Sequence, residues 1–93
     1  MEIETIRHKA LRKFVETGKA KGLIEPARIR DMIAFILAAT DFDALGTPPN
    51  FGFHPLTGDR AGTFALTVTR NWRMTFIKTG ADSIADLDLE DYH

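Results

Sequence analysis

The fold is decided by residues 64–76, which run Phe64-Ala65-Leu66-Thr67-Val68-Thr69-Arg70-Asn71-Trp72-Arg73-Met74-Thr75-Phe76. Apolar side chains alternate with small or polar ones on both sides of a polar centre, and this period-two pattern is typical of half-buried β-strands. Both apolar sets lie on one face of a hairpin only when Leu66 opposes Met74, because directly opposed residues share a face. The same register opposes Val68 to Trp72 and Phe64 to Phe76.

This register makes two predictions about polar residues. It leaves Thr69-Arg70-Asn71 as a three-residue loop, and such loops usually end on a residue in the left-handed conformation. Asparagine tolerates that conformation, so we expect a positive φ at Asn71. The register also places Arg73 on the face away from the core, where an arginine is solvated, paired with an acid or part of a site.

The flanking sequence predicts the other elements. Short alternation indicates strands at residues 2–6 and 82–89, and apolar residues at helical spacing indicate helices at residues 8–17 and 26–39. The order of these elements predicts one α+β domain, residues 1–93, with two N-terminal helices packed on one face of a small, largely antiparallel sheet. The expected core stripe of the second helix is Ile29, Met32, Ile33, Ile36 and Leu37.

The last strand carries most of the acidic charge near the hairpin. Residues 60–78 contain four basic side chains and no acidic one, whereas residues 79–93 contain five acids. Alternation predicts that Ala85, Leu87 and Leu89 face inward and that Ile84, Asp86 and Asp88 face outward. We expect Asp86 and Asp88 to pair with part of the basic face, while Arg60 and Arg73 remain available for phosphate.

Composition excludes several classes of protein. The 93 residues include no cysteine, which excludes disulfides and thiolate ligands, and the net charge is −1. No apolar run approaches the length of a membrane span, and the start lacks a signal-peptide pattern, so we expect a cytoplasmic protein without a membrane.

The polar residues favour one kind of chemistry. Three histidines lie far apart with no metal-ligand spacing, the single serine has no nucleophile elbow, and no phosphate-binding glycine loop is present. Histidine, tyrosine, aspartate and arginine remain, and this set suits cleavage of RNA without a metal or cofactor. A base would remove the proton of a ribose 2′-OH, cations would hold the developing charge, and an acid would protonate the leaving oxygen.

Three motifs carry a resemblance to a known family. They are His54-Pro55-Leu56-Thr57-Gly58-Asp59-Arg60, then Asn71-Trp72-Arg73-Met74-Thr75-Phe76, then Glu90-Asp91-Tyr92-His93 at the end of the sequence. Together they resemble the HigB toxins of the RelE superfamily, the plasmid-maintenance killer proteins. The resemblance covers nearly the whole chain and implies the compact RelE-like fold.

The resemblance implies a ribosome-dependent endoribonuclease that cleaves messenger RNA. The implied partners are the ribosome with its message and a helix-turn-helix antitoxin similar to HigA, with operator DNA bound only through that antitoxin. The implied catalytic residues are His54, Arg73, Asp91, Tyr92 and His93. The residues expected to contact RNA or phosphate are Arg60, Arg70 and Asn71.

Other interpretations remain open. His54 could be a loop histidine that hydrogen-bonds a backbone carbonyl, and Arg60 could pair with Asp59 or another acid. Thr57 stands where many HigB sequences have a lysine, which lowers the local positive charge. The competing hypothesis is a non-catalytic binding module of the same fold, either a ParE-like gyrase inhibitor or a weakened toxin that serves as antitoxin partner and co-repressor.

Overall fold

The computed structural model describes residues 1–91, which form two helices on one face of a five-stranded sheet. The sheet order is β1-β5-β4-β3-β2, and only the β1–β5 pair is parallel. The predicted α+β fold is therefore confirmed. The elements are β1 (Glu2–Ile3), α1 (Lys9–Thr17), α2 (Pro26–Ala38), β2 (His54–Pro55), β3 (Thr63–Thr67), β4 (Trp72–Gly80) and β5 (Ser83–Asp91), with short 3-10 helices at Phe42–Gly46 and Gly58–Arg60.

Local signals set the helix ends. His8 caps α1 by accepting the backbone N–H of Leu11 at its Nδ1, and Gly18 ends the helix in the left-handed conformation, with φ 80°. Pro26 begins α2, where its missing N–H costs no hydrogen bond. Most of the predicted α2 stripe is buried, but Leu37 is 53% exposed. The prediction of a core position for Leu37 is wrong, because Leu37 lies at the edge of the apolar stripe, where the side chain remains exposed.

The hairpin of β3 and β4 has the predicted register. Leu66 opposes Met74, Phe64 opposes Phe76, and the N–H of Val68 donates to the Trp72 carbonyl at 3.0 Å. Asn71, however, does not have a positive φ. The side chain of Thr69 instead accepts the N–H groups of Asn71 and Trp72, so a hydroxyl closes the turn without a left-handed residue.

A bulge in β5 changes which residues face the core. Asp86 has a φ of 55°, and the pairing of β4 with β5 shifts between Thr75 and Ile77. The extra residue reverses the alternation before it. Ile84 is consequently buried in the core with 0% exposure, so its predicted outward orientation is wrong.

The core lies between the helices and the inner face of the sheet. Ring contacts join the 3-10 helix Phe42–Gly46 and the segment before β2 to β3. Phe42 lies edge-on to Phe64 at 4.8 Å, and Phe53 stacks on Phe64 at 5.7 Å. Trp72 packs against this core, as its side of the hairpin predicted. Within residues 1–91, neither helix is long and apolar enough to span a bilayer.

Candidate functional site

The face of the sheet opposite the helices carries a cluster of polar side chains. Two neighbouring rows of paired residues cross this face. One row contains Thr67, Arg73 and Glu90, and the next contains His54, Ala65, Thr75 and Asp88. Because paired residues share a face, His54 and the Arg73–Glu90 pair are presented on the same side. We call this surface the polar face.

Glu90 is the centre of the polar face. Its carboxylate accepts both terminal nitrogens of Arg60, at 3.1 and 2.8 Å, in the two-point geometry that a guanidinium favours. The hydroxyl of Thr75 donates to the same carboxylate at 2.6 Å, and Nη2 of Arg73 lies 3.4 Å from it. One carboxylate from β5 thus connects the 3-10 helix Gly58–Arg60 to β4 and β5.

This network changes the proton affinity of its members. The hydrogen bonds from Arg60 hold the pKa of Glu90 down to about 2, assisted by Thr75 and Arg73 and opposed by burial. The same pair raises the pKa of Arg60 above its ordinary value. Glu90 is therefore an anion at every pH at which proteins usually work, and it serves as a fixed charge rather than as a proton carrier.

His54 lies at the edge of the polar face with an exposed ring. Its Nδ1 is 2.8 Å from the carbonyl oxygen of Gly52, and a carbonyl only accepts, so Nδ1 carries the proton of the neutral ring. Nε2 is then the nitrogen that can take up a proton. This carbonyl contact is the one expected under the alternative interpretation of His54 as a loop histidine, and it leaves the role of the exposed ring open.

Glycine is required beside this histidine. Gly52 has a φ of +68°, and a Cβ there would lie 2.8 Å from Oγ1 of Thr67. Arg28 supports the same segment, because its guanidinium lies over the Phe51 ring at 5.1 Å and donates to the Thr67 carbonyl at 3.0 Å. The loop that orients His54 is thus packed against both α2 and β3.

The structure does not bring all of the other predicted residues to this centre. Arg70 and Asn71 are exposed in the hairpin loop, at the end of the strands that carry Arg73. Asp91 is paired with Trp72 and therefore lies on the core side of the sheet register, opposite to the polar face. Tyr92 and His93, the two remaining predicted catalytic residues, lie outside the described residues. Thr57 is exposed.

The prediction of which acids of β5 pair with the basic residues is wrong. Arg60 and Arg73 do not stand apart from the acids of β5, because Glu90 contacts both. Asp86 instead contacts Thr5, whose hydroxyl lies 3.3 Å from its carboxylate and accepts its backbone N–H at 2.8 Å. The acid that pairs with Arg60 is therefore Glu90, and neither Asp59 nor Asp86 has that role.

Sequence reasoning missed Glu90 and Thr75. Both lie within the quoted motifs, and Thr75 alternates with the buried Met74, so its outward side was predictable. The position of Glu90 opposite Arg73 depends on the β5 bulge, which periodicity did not reveal. Through residues 1–91, no three acidic or histidine side chains come close enough together to hold a metal ion.

Comparison with known proteins places this arrangement in a family. No protein-family model matches the sequence. The chain is 38% identical over 95 residues to Endoribonuclease HigB of Proteus vulgaris, and the match covers 98% of this chain and 99% of that protein.

Solved structures show the same fold. YafQ from E. coli strain BL21(DE3) matches with a TM-score of 0.63 and 16% identity, over 97% of this chain and 91% of its own. The YoeB/ParE toxin from Agrobacterium tumefaciens matches with a TM-score of 0.56 and 16% identity, over the whole of both chains. At that sequence identity, the two structural matches show only that the fold is shared. The near full-length sequence match carries the assignment further: the chain belongs to the HigB family.

Proposed function

We propose that this protein is the toxin of a type II toxin–antitoxin pair and that it cleaves messenger RNA on the ribosome without a metal ion or other cofactor. The relative from Proteus vulgaris is named an endoribonuclease, which supports the reaction class. The observation that carries the proposal is the polar face itself. It presents a histidine with an available Nε2 on the same side of the sheet as two arginines joined through one carboxylate.

His54 is the base in this mechanism. Its Nε2 takes the proton of a ribose 2′-OH, and the oxygen attacks the adjacent phosphorus. A bond from O2′ to phosphorus forms while the bond from phosphorus to O5′ breaks, which leaves a 2′,3′-cyclic phosphate and a free 5′-OH. The Gly52 carbonyl fixes which ring nitrogen is basic and leaves Nε2 to act as the general base.

Arg73 and Arg60 supply positive charge to the phosphate. His54 and Arg73 lie two strands and two residues apart, roughly 12 Å between Cα atoms in a regular sheet, so their side chains can reach one ribose–phosphate unit from two sides. A guanidinium contacts two phosphate oxygens at once, which suits the charge that develops during attack. Arg70 and Asn71, exposed at the hairpin loop, extend this surface toward neighbouring nucleotides.

We assign the donor of the proton for the leaving O5′ to residues 91–93. Asp91, Tyr92 and His93 follow directly after Glu90 in the sequence. We assign His93 as the proton donor, Asp91 as a group that orients a histidine, and Tyr92 as a ring that stacks on a base or bonds phosphate.

The proposal includes partners and a place of action. They are the ribosome with bound message and a helix-turn-helix antitoxin similar to HigA, with operator DNA contacted only through that antitoxin. The protein would act in the cytoplasm, where both are found.

In vitro translation with primer extension on the template message tests the proposal. The wild type should produce discrete cuts within the message, and Arg73→Ala should reduce them by about 10²–10³-fold, as for loss of one group that stabilises a transition state. Arg30→Ala is the matched control, because it removes an exposed arginine of α2, on the other side of the molecule. Absence of cuts by the wild type, with binding to its antitoxin intact, would favour the non-catalytic binding module.

A further inference from the structure

The Glu90 carboxylate lies on the polar face among hydrogen-bond donors from three side chains. Four contacts surround its two carboxylate oxygens, two from Arg60, one from Thr75 and one from Arg73. The Glu90 side chain is 23% exposed and that of Arg73 19% exposed, whereas Arg60 is more open, at 42%. The carboxylate is therefore held between a partly buried guanidinium and an outer one.

The four contacts differ in strength. The bond from Thr75 at 2.6 Å and the two-point pair with Arg60 are short, and together they fix the carboxylate. The contact with Arg73 is the longest, at 3.4 Å. Glu90 is thus anchored by Thr75 and Arg60, and from that anchored position it sets the direction of the Arg73 guanidinium by charge.

A small pocket of about 50 Å³ lies beside this carboxylate. Its lining includes Arg60, Thr75, Asp88 and Glu90, and it opens on the polar face. Two positive charges and one negative charge from the Arg60–Glu90–Arg73 group give that group a net charge of +1. Glu90 consequently limits how strongly the face holds a phosphate while it keeps the arginines aligned.

We propose that Glu90 is a positioning residue for RNA cleavage, which holds Arg73 and Arg60 in the arrangement that the transition state needs. The inference rests on the proposed function of the polar face. It adds a role that depends on alignment of the arginines rather than on proton transfer by Glu90.

This role predicts opposite effects on rate and on affinity. Glu90→Gln keeps the size of the side chain but removes its charge, and its amide nitrogen cannot accept from a guanidinium. Displacement of a positioned group by about 1 Å costs about 10²-fold in rate, so kcat should fall by about that factor. The KM for ribosome-bound message should stay the same or fall, because the group becomes more positive. Since Glu90 remains ionised throughout the working range, the pH profile of kcat should keep its shape.

The experiment is steady-state cleavage of ribosome-bound message by the wild type, Glu90→Gln and Asp31→Asn, with thermal unfolding of each. Asp31→Asn is the matched control, because Asp31 is an exposed acid of α2, which packs on the opposite side of the sheet from the polar face. It removes the same charge without touching the carboxylate that contacts the arginines, so its kcat should stay within about threefold of the wild type. A loss confined to kcat in Glu90→Gln supports the proposal, and a kcat equal to that of the wild type overturns it.

A shorter acid separates positioning from folding. Glu90→Asp retains the charge but lacks one methylene, so it cannot keep both the Thr75 bond and the two-point Arg60 contact. Its kcat should fall by about 10-fold, and a wild-type kcat would contradict the inference. If neither Glu90 variant folds at the assay temperature, Glu90 is a structural residue and the inference is wrong. If the wild type makes no cuts, the proposed function fails first and the inference fails with it.

Discussion

The two faces of the sheet differ in what their side chains do, although the same strands build both. On the helix side, β3 and β4 contribute the half-buried ring of Phe64 and the buried ring of Phe76, which pack against Phe42 at 4.8 and 6.4 Å. On the polar face, the same strands contribute Arg73 and Thr75, which meet an acid from β5. Burial of apolar area stabilises the fold, whereas the polar face gains little from its charges and instead holds groups suited to chemistry.

The largest expected effect on stability comes from the helix side. Phe76 is 1% exposed, so Phe76→Ala leaves a cavity and should lower the free energy of unfolding by about 3–5 kcal/mol. That is a large share of the stability of a small domain. Urea denaturation measures the loss. Leu37→Ala is the control, because this equally apolar residue is 53% exposed and should cost less than about 1 kcal/mol. Equal losses in the free energy of unfolding of the two variants would contradict the claim that burial on the helix side stabilises the fold.

The largest expected effect on rate comes from the polar face. His54→Ala should reduce single-turnover cleavage by about 10²–10⁴-fold, the usual contribution of a general base, with little change in melting temperature because the ring is exposed. His8→Ala is its matched control. His8 caps α1, so its loss should lower stability by about 1 kcal/mol and leave cleavage by the folded protein unchanged. An unchanged rate for His54→Ala would exclude His54 as the base.

Deletion of Tyr92 and His93 tests the assigned proton donor. The deletion leaves residues 1–91, which carry both helices, the five described strands and the core between them, so the shortened protein should fold and bind its antitoxin, as circular dichroism and co-purification would show. Its cleavage rate should fall by about 10²-fold or more, because the leaving oxygen loses its acid. Full activity of the shortened protein would mean that another residue is the general acid.

The smallest expected effect is the contribution of the polar face to stability. The pKa of Glu90 is lowered from 4.5 to about 2, mainly by its hydrogen bonds with Arg60, so Glu90 stabilises the fold above pH 4.5 and loses that contribution as pH falls toward 2. The contribution should be about 1–2 kcal/mol, since Arg60 is partly exposed and solvent screens the pair. Urea midpoints of the wild type and Glu90→Gln at pH 7, 4.5 and 3 should converge as pH decreases. A constant difference would mean that the charge of Glu90 does not stabilise the fold.

The sequence predicted the helix side better than the polar face, and the reason is physical. The hairpin register follows from alternation, because only one pairing buries both apolar sets, and Arg73 was placed correctly by that argument. The bulge at Asp86 has no local signal. It is stabilised by Thr5, 81 residues away in the sequence, through two hydrogen bonds. Contacts of that separation decide where Ile84 points and which residue of β4 Glu90 opposes, so periodicity within β5 predicted Ile84 wrongly and gave no role to Glu90.

Single-turnover cleavage of a message with one altered sugar tests the central claim most directly. A 2′-deoxynucleotide would be placed on the 5′ side of the mapped cut, with the unmodified message as control. The account predicts that this bond becomes uncleavable while other cuts in the same message persist, because His54 has no 2′-OH to activate. Cleavage of the deoxy-substituted bond at an unchanged rate would contradict the account, since the attacking oxygen would then come from water and not from the ribose.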